Sequence, residues 1–185
     1  MGVANISYRY VMSNRFSSYN PEIPDRLISC LNDSGARYEI LHEPSGPLGS
    51  GQRLAGPAGL IGTAVVRAGK HRLLAVMLSQ YTVDLKRFAK LIGEPVNLEA
   101  ADDFKWLFPD CALGAIPPFG NLYGLPTYVD RSVARNQEIV FSAGTSTDSI
   151  RLAYVTYTEI VKPLFGRFSV RAHEDLAPGF GLGVA

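Results

Sequence analysis

Hydrophobic positions along this chain change period several times, and each change marks a predicted element. Behind Pro24 and Asp25, Leu27, Ile28 and Leu31 fall at i, i+1 and i+4, which predicts a helix ended by Asn32-Asp33-Ser34-Gly35. Tyr38 to His42 alternates well enough for a strand. The runs Thr63 to Arg67 and Arg72 to Leu78 flank Ala68-Gly69-Lys70-His71, predicting a hairpin that turns near Gly69, its second arm apolar enough for the centre of a sheet. After Asp84, a capping residue, Leu85, Phe88, Ala89 and Ile92 share one helical face and Gly93 supplies the stop. A short helix is predicted over Glu99 to Leu107, ended by Pro109. Strands over 126–130, 137–143 and 149–153 and a last helix over 156–161 complete the pattern, with a turn at Arg131 and Ser132.

Between these elements lie segments with no period. Residues 44–57 hold Gly46, Gly49, Gly51 and Gly56 with three prolines, which predicts a loop whose length makes it mobile or functional. The boundaries that follow are an N-terminal arm over 1–23, a domain over 24–168, and a Gly- and Pro-rich tail over 169–185 expected to fray. Strands outnumber helices and the helices fall between strand groups without strict βαβ alternation. The fold class expected is therefore α+β, with a mixed, strongly curved sheet and surrounding helices. A doubly wound nucleotide fold is disfavoured, because no glycine-rich turn joins a first strand to a first helix.

Charge and composition narrow the partners. Eighteen Lys and Arg against seventeen Asp and Glu leave a formal charge of +1, so any nucleic-acid partner must be met by a local patch. Lys86, Arg87 and Lys90, on the outer side of the helix after Asp84, read as a solvated face or as a phosphate-contacting patch. Cys30 and Cys111 lack a paired C-x-x-C spacing and read as buried free thiols in a reducing compartment. His42, His71 and His173 have no metal-ligand spacing, so neither metal nor cofactor is expected. No window approaches the ~18 apolar residues of a membrane span, and Met1 to Ile6 lacks the pattern of a signal peptide; a cytoplasmic location is expected.

The most specific stretch is Gly114-Ala115-Ile116-Pro117-Pro118-Phe119-Gly120. Two consecutive prolines fix φ and remove two N–H donors, and the flanking glycines permit geometry that a side chain would forbid. Such a rigid loop presents backbone rather than reactive side chains, which suits recognition of a small polar ligand. Asp130 reads as a cap on the turn at Arg131 and Ser132. Asp148 with Arg151 reads as a surface pair or turn element, and His42 as a hydrogen-bonded structural histidine.

The order of these pieces resembles the YbaK family, aminoacyl-tRNA deacylases related to the editing insertion of bacterial prolyl-tRNA synthetase. The resemblance rests on His42-Glu43-Pro44, the hairpin, the run Val83 to Gly93, Gly114 to Gly120, Tyr128-Val129-Asp130-Arg131-Ser132 and Val140-Phe141-Ser142-Ala143-Gly144, and it covers roughly residues 24–165. It implies a barrel-like sheet and hydrolysis of the ester that joins a wrong amino acid to the 3′ end of a tRNA. It also implies a substrate-binding pocket at Gly114, Ala115, Ile116, Pro117, Pro118, Phe119 and Gly120, with Ser142, Ala143 and Gly144 on a neighbouring strand. Gly62, Thr63, Ser79 and Asp130 are expected near it, and no catalytic side chain is assigned. Ester hydrolysis needs a positioned water and donors aimed at the developing oxyanion, which fixed N–H groups of Ala115, Ile116 and Gly120 can supply. Relatives commonly place a lysine where this chain has Gly62. That departure leaves a noncatalytic binding or regulatory module as the alternative reading, and the sequence assigns no oligomeric state.

Overall fold

In the computed structural model, residues 10–11, 23–42 and 58–172 are described. The expectations for the 44–57 loop, most of the arm and the tail beyond Ala172 lie outside the described residues. The elements in chain order are β1 (Tyr10–Val11), α1 (Asp25–Asp33), β2 (Tyr38–His42), β3 (Gly59–Ala68), β4 (His71–Leu78), β5 (Tyr81–Val83), α2 (Leu85–Ile92), β6 (Val96–Leu98), α3 (Ala101–Phe104), β7 (Thr127–Asp130), β8 (Glu138–Ser142), β9 (Asp148–Ala153), α4 (Tyr154–Val161), β10 (Leu164–Gly166) and β11 (Ser169–Arg171).

Among the described residues, nine strands form one sheet in the order β1-β2-β9-β8-β3-β4-β7-β10, with β6 added to β3 off this path. Pairing is mixed, since β3–β8, β4–β7 and β7–β10 are parallel and the rest antiparallel. The α+β class is therefore as expected. The barrel-like closure is not: closing a barrel requires the first and last strands to hydrogen-bond, and here β1 and β10 stand as the two ends of an open path.

The long hairpin β3–β4 is the spine of the molecule. Its register runs from Ile61↔Leu78 to Ala68↔His71, leaving Gly69 and Lys70 as a two-residue turn in which Gly69 has φ +53°. Both faces are buried, which is why β4 reads as a continuous apolar run. One face carries Ile61, Val65, Leu74 and Val76 into a core shared with Leu27 and Leu31 of α1, Phe141 of β8, Ile150 and Leu152 of β9 and Tyr157 of α4. The other carries Val66, Ala68, Leu73, Ala75 and Met77 into a second core closed by Phe88 of α2 and by Phe168.

Helix α2 forms over the predicted span. Asp84 Oδ1 accepts the Arg87 N–H at 3.1 Å, and Gly93 ends the helix at φ +89° with its N–H on the Ala89 carbonyl at 2.8 Å. The helix expected from Glu99 starts later, at Ala101, because Glu99 is drawn into the sheet. Its N–H bonds the Val65 carbonyl at 3.0 Å, and its carboxylate meets Arg72 Nε at 2.6 Å and Arg67 Nε at 3.2 Å. Strands β5, β6, β10 and β11 have three residues each, too few to show a period, and exist through their partners. One of them corrects the expected fraying from Ser169: Ser169–Arg171 pairs antiparallel with Tyr81–Val83.

Candidate functional site

Thr63 of β3 projects from the face that carries the first core, and its Oγ1 donates to the Ile116 carbonyl at 3.1 Å. From the other side of the loop, the fully buried Tyr157 of α4 donates its hydroxyl to the Pro118 carbonyl at 2.8 Å. Two carbonyls of the diproline loop are thus clamped from a strand and a helix. Phe119 locks the next position, with its ring 5.4 Å from Phe141 and 5.5 Å from Tyr157 between centroids. Burial pushes the Tyr157 hydroxyl far up from the ordinary tyrosine range, so it stays protonated and remains a donor.

The loop is buried from Ala115 to Gly120 and exposed at Gly114. Gly114 lies at φ +81°, and a Cβ there would meet no atom within 4 Å, so glycine serves the backbone conformation at an open position. The constraint at Gly120 is space. An added Cβ would collide with Thr127 Oγ1 and come within 2.6 Å of the Leu125 carbonyl oxygen. Of the three N–H groups expected to face a ligand, Ala115 is already committed to the Ala112 carbonyl at 3.0 Å. Among the described residues, the N–H groups of Ile116 and Gly120 have no protein acceptor.

The β8–β9 turn packs directly against this region. Gly144 accepts the Ala112 N–H at 2.7 Å, two residues before Gly114. Gly144 sits at φ +97° with a would-be Cβ 2.6 Å from Pro24 Cδ, so both conformation and space require glycine. Ala143 is fully buried, and Ser142 Oγ donates to the Thr145 carbonyl at 3.2 Å. Inside the turn, Asp148 is 2% exposed. Its Oδ2 accepts from Thr145 Oγ1 at 2.7 Å and Thr147 Oγ1 at 3.1 Å, and its Oδ1 lies 2.8 Å from His42 Nδ1. This replaces the expected Asp148–Arg151 pair, since Arg151 Nη1 bonds Glu39 on the opposite face of β9 at 3.3 Å.

The remaining predicted positions divide by face. Alternation along β3 sets Gly62 opposite Thr63, and a Cβ on Gly62 would stand 3.3 Å from Ser79 Cα. Ser79 is exposed and bonds the Leu60 carbonyl through its N–H at 2.8 Å. Asp130 is 5% exposed and accepts backbone N–H groups from Ser132 at 2.9 Å, Phe168 at 2.8 Å and Ser169 at 2.9 Å. Burial by itself would raise its carboxyl, but these donations to the charged form hold it below the ordinary aspartate value.

Cys111 flanks the loop with its Sγ 3.2 Å from Tyr123 Oη, and burial pushes the thiol up, away from nucleophilic form. Both cysteines are free, as expected, but each is half-buried rather than buried. Among the described residues no His, Cys, Asp and Glu cluster could hold a metal ion, and no helix is long and apolar enough to cross a membrane. An open cleft of about 480 Å³ lies at the far end of the β3–β4 hairpin, lined among others by Lys70, His71, Arg72, Leu125 and Tyr128, and it shares no residue with the predicted site. Tyr157 is the site residue that sequence reasoning missed, because its only sequence signal is that of a core position in a helix.

Residues 53–160 match the model of the aminoacyl-tRNA editing domain. The chain belongs to that family. Solved structures share this architecture. A crystal structure named for a proposed trans-editing enzyme for prolyl tRNA synthetase superposes with a TM-score of 0.69 at 18% identity, covering 83% of this chain and 99% of the other. A scaffold protein used in computational epitope grafting gives 0.70 at 17% identity, with 83% and 100% coverage. A protein of Marinobacter aquaeolei VT8, named for a proposed role in signal transduction, gives 0.64 at 16% identity, over 80% of this chain and 31% of that one. At these identities the likeness is one of fold. No curated protein matches the chain.

Proposed function

We propose that this editing-domain protein acts in trans as a hydrolase, cleaving the ester of a mischarged aminoacyl-tRNA in the cytoplasm. The aminoacylated 3′ end is the partner, and the unit that carries the activity is residues 24–168, flanked by the arm 1–23 and the tail 169–185. The observation that supports this most is the clamped diproline loop. Its carbonyls are occupied by Thr63 and Tyr157, while the N–H groups of Ile116 and Gly120 lack protein acceptors among the described residues. Fixed donors of this kind stabilise the negative oxygen that develops as water adds to an ester carbonyl, and they require no reorganisation during the reaction. Gly114 to Gly120, with Ser142, Ala143 and Gly144 of the adjacent turn, form the substrate-binding surface in this reading. Thr63 acts from beneath the loop and Asp130 from within the fold.

A panel of mischarged tRNAs incubated with the purified protein tests the proposal. Release of the amino acid from at least one pair above the buffer rate is expected; no release from any pair defeats it. The second reading, a module that binds without turnover, is favoured by Gly62, where the chain offers no ammonium and an added Cβ would stand 3.3 Å from Ser79 Cα. For that reading, filter binding of aminoacylated tRNA without hydrolysis is the expected result, and a gain of turnover in Gly62→Lys would identify the missing group.

A further inference from the structure

The clamped loop supplies donors for an oxyanion but no group to take a proton from water, and His42 at the end of β2 with Asp148 at the start of β9 forms a pair of side chains suited to that task. Asp148 is 2% exposed, yet four hydrogen bonds converge on or beside its carboxylate. Oδ2 is saturated by the hydroxyls of Thr145 and Thr147, and Thr145 Oγ1 in turn accepts the Asp148 N–H at 2.8 Å. The carboxylate cannot rotate without breaking that ring of bonds. Among the described residues Oδ1 has one partner, His42 Nδ1 at 2.8 Å. With a carboxylate as acceptor, the imidazole donates through Nδ1–H, which leaves the lone pair on Nε2. The histidine side chain is 63% exposed while its partner is 1% exposed, so one end of the ring is anchored and the other faces outward.

The placement relative to the loop is set by the sheet. His42↔Asp148 ends the β2–β9 register, on the strand face that carries Ile40 and Ile150 towards the first core, which the diproline loop also joins through Ile116 and Phe119. Ala143 N–H bonds the Asp148 carbonyl at 2.9 Å, and the next residue, Gly144, bonds Ala112 just ahead of Gly114. Among the described residues, the groups that face His42 from β9 and its turn are Asp148, Thr145 and Thr147. Glu39 and Arg151 project from the opposite face and bond each other.

We propose that His42 is the proton-transfer residue for ester cleavage at this site and that Asp148, held by Thr145 and Thr147, is its positioning residue. The inference rests on the hydrolase reading above. His42 Nε2 accepts a proton from the attacking water as its oxygen bonds the ester carbonyl carbon, and the carbonyl π pair moves onto the oxygen facing the loop N–H groups. When that pair returns, the bond to the ribose oxygen breaks and Nε2–H delivers the proton to the leaving oxygen. The products are a free amino acid and a tRNA with its hydroxyl restored, with nothing else consumed.

Two measurements test this. His42→Gln, conservative at an exposed position, is expected to lower the single-turnover hydrolysis rate by about 10²-fold or more while binding is kept, and to remove the loss of rate on acidification that the proposal expects of the parent protein. Asp148→Asn should reduce the rate without removing that pH dependence. Equal rates and pH profiles in parent and His42→Gln would overturn the proposal. The second measurement needs no turnover: imidazole ¹⁵N resonances of the full chain are followed while adenosines carrying amide-linked amino acids are added. A shift of His42 Nε2, with His71 as the unmoved reference, places the imidazole at the bound aminoacyl group as the proposal requires, and an unmoved His42 under saturating ligand overturns it. Failure of every tRNA to be cleaved sinks the hydrolase reading; failure of the His42 readouts alone sinks only this one.

Discussion

Thr63 and Tyr157 show how much of the site is decided by single hydroxyls. Each donates to a loop carbonyl, and Tyr157 does so from full burial. Replacing Tyr157 with Phe leaves the Pro118 carbonyl without a donor in the core, at a cost of about 1–3 kcal/mol, and urea denaturation is the measurement that reads it. A midpoint unchanged from the parent would show that the loop does not depend on this bond. None of this was legible beforehand. Tyr157 and Pro118 are 39 residues apart, and a tyrosine on an apolar helix face announces burial, not the carbonyl it will meet. Asp130 is the counter-example, since its role as a cap on Ser132 could be read from the local turn, whereas its bonds to Phe168 and Ser169 could not.

At the scale of elements, α2 and the β3–β4 hairpin were legible because all their signals are local: a capping aspartate, a face of apolar residues, a glycine at the end. The hairpin turn at Gly144 is a different case. The sequence places a glycine there, but its necessity comes from α1, whose entry residue Pro24 occupies the space a side chain would take. Gly144→Ala should therefore destabilise the protein by more than the strain of a left-handed backbone alone, which is about 1–3 kcal/mol, and should disturb the Ala112 contact beside the loop. Thermal unfolding with the parent as reference decides this, and equal midpoints would refute it. The helix cap gives a milder test. Asp84→Ala removes the side-chain acceptor for Arg87 N–H and should cost about 1 kcal/mol in the same assay, with less effect on the loop.

The whole molecule is held together at a junction far along the chain. Phe168 is fully buried against Phe88, with ring centroids 4.5 Å apart, and its N–H is tied to Asp130. Phe168→Ala should cost about 3–5 kcal/mol by cavity formation, measured by denaturant unfolding; a cost under 1 kcal/mol would mean that the second core closes without it. Acid sensitivity belongs to the same junction. The Asp130 carboxyl is lower in the folded chain than its ordinary value of 3.8, so its contribution to stability is complete above that value and is lost as pH falls below it. Asp130→Asn should flatten the part of the stability profile that falls away below pH 3.8, and an unchanged acid limb would assign the loss to other groups.

The sequence by itself determined the local elements, the stiffness of the diproline loop and membership in the editing family, because turn chemistry, apolar period and motif order are properties of neighbouring residues. Tertiary structure decided what those elements face. It left the sheet open with β1 and β10 at its ends, committed the Ala115 N–H to its own turn and buried Asp148 beside His42. Contacts across 39, 53 and 106 residues place Tyr157, Thr63 and His42 with their partners. The pairing of such distant groups follows from how the two cores close around the β3–β4 hairpin, which no local pattern encodes.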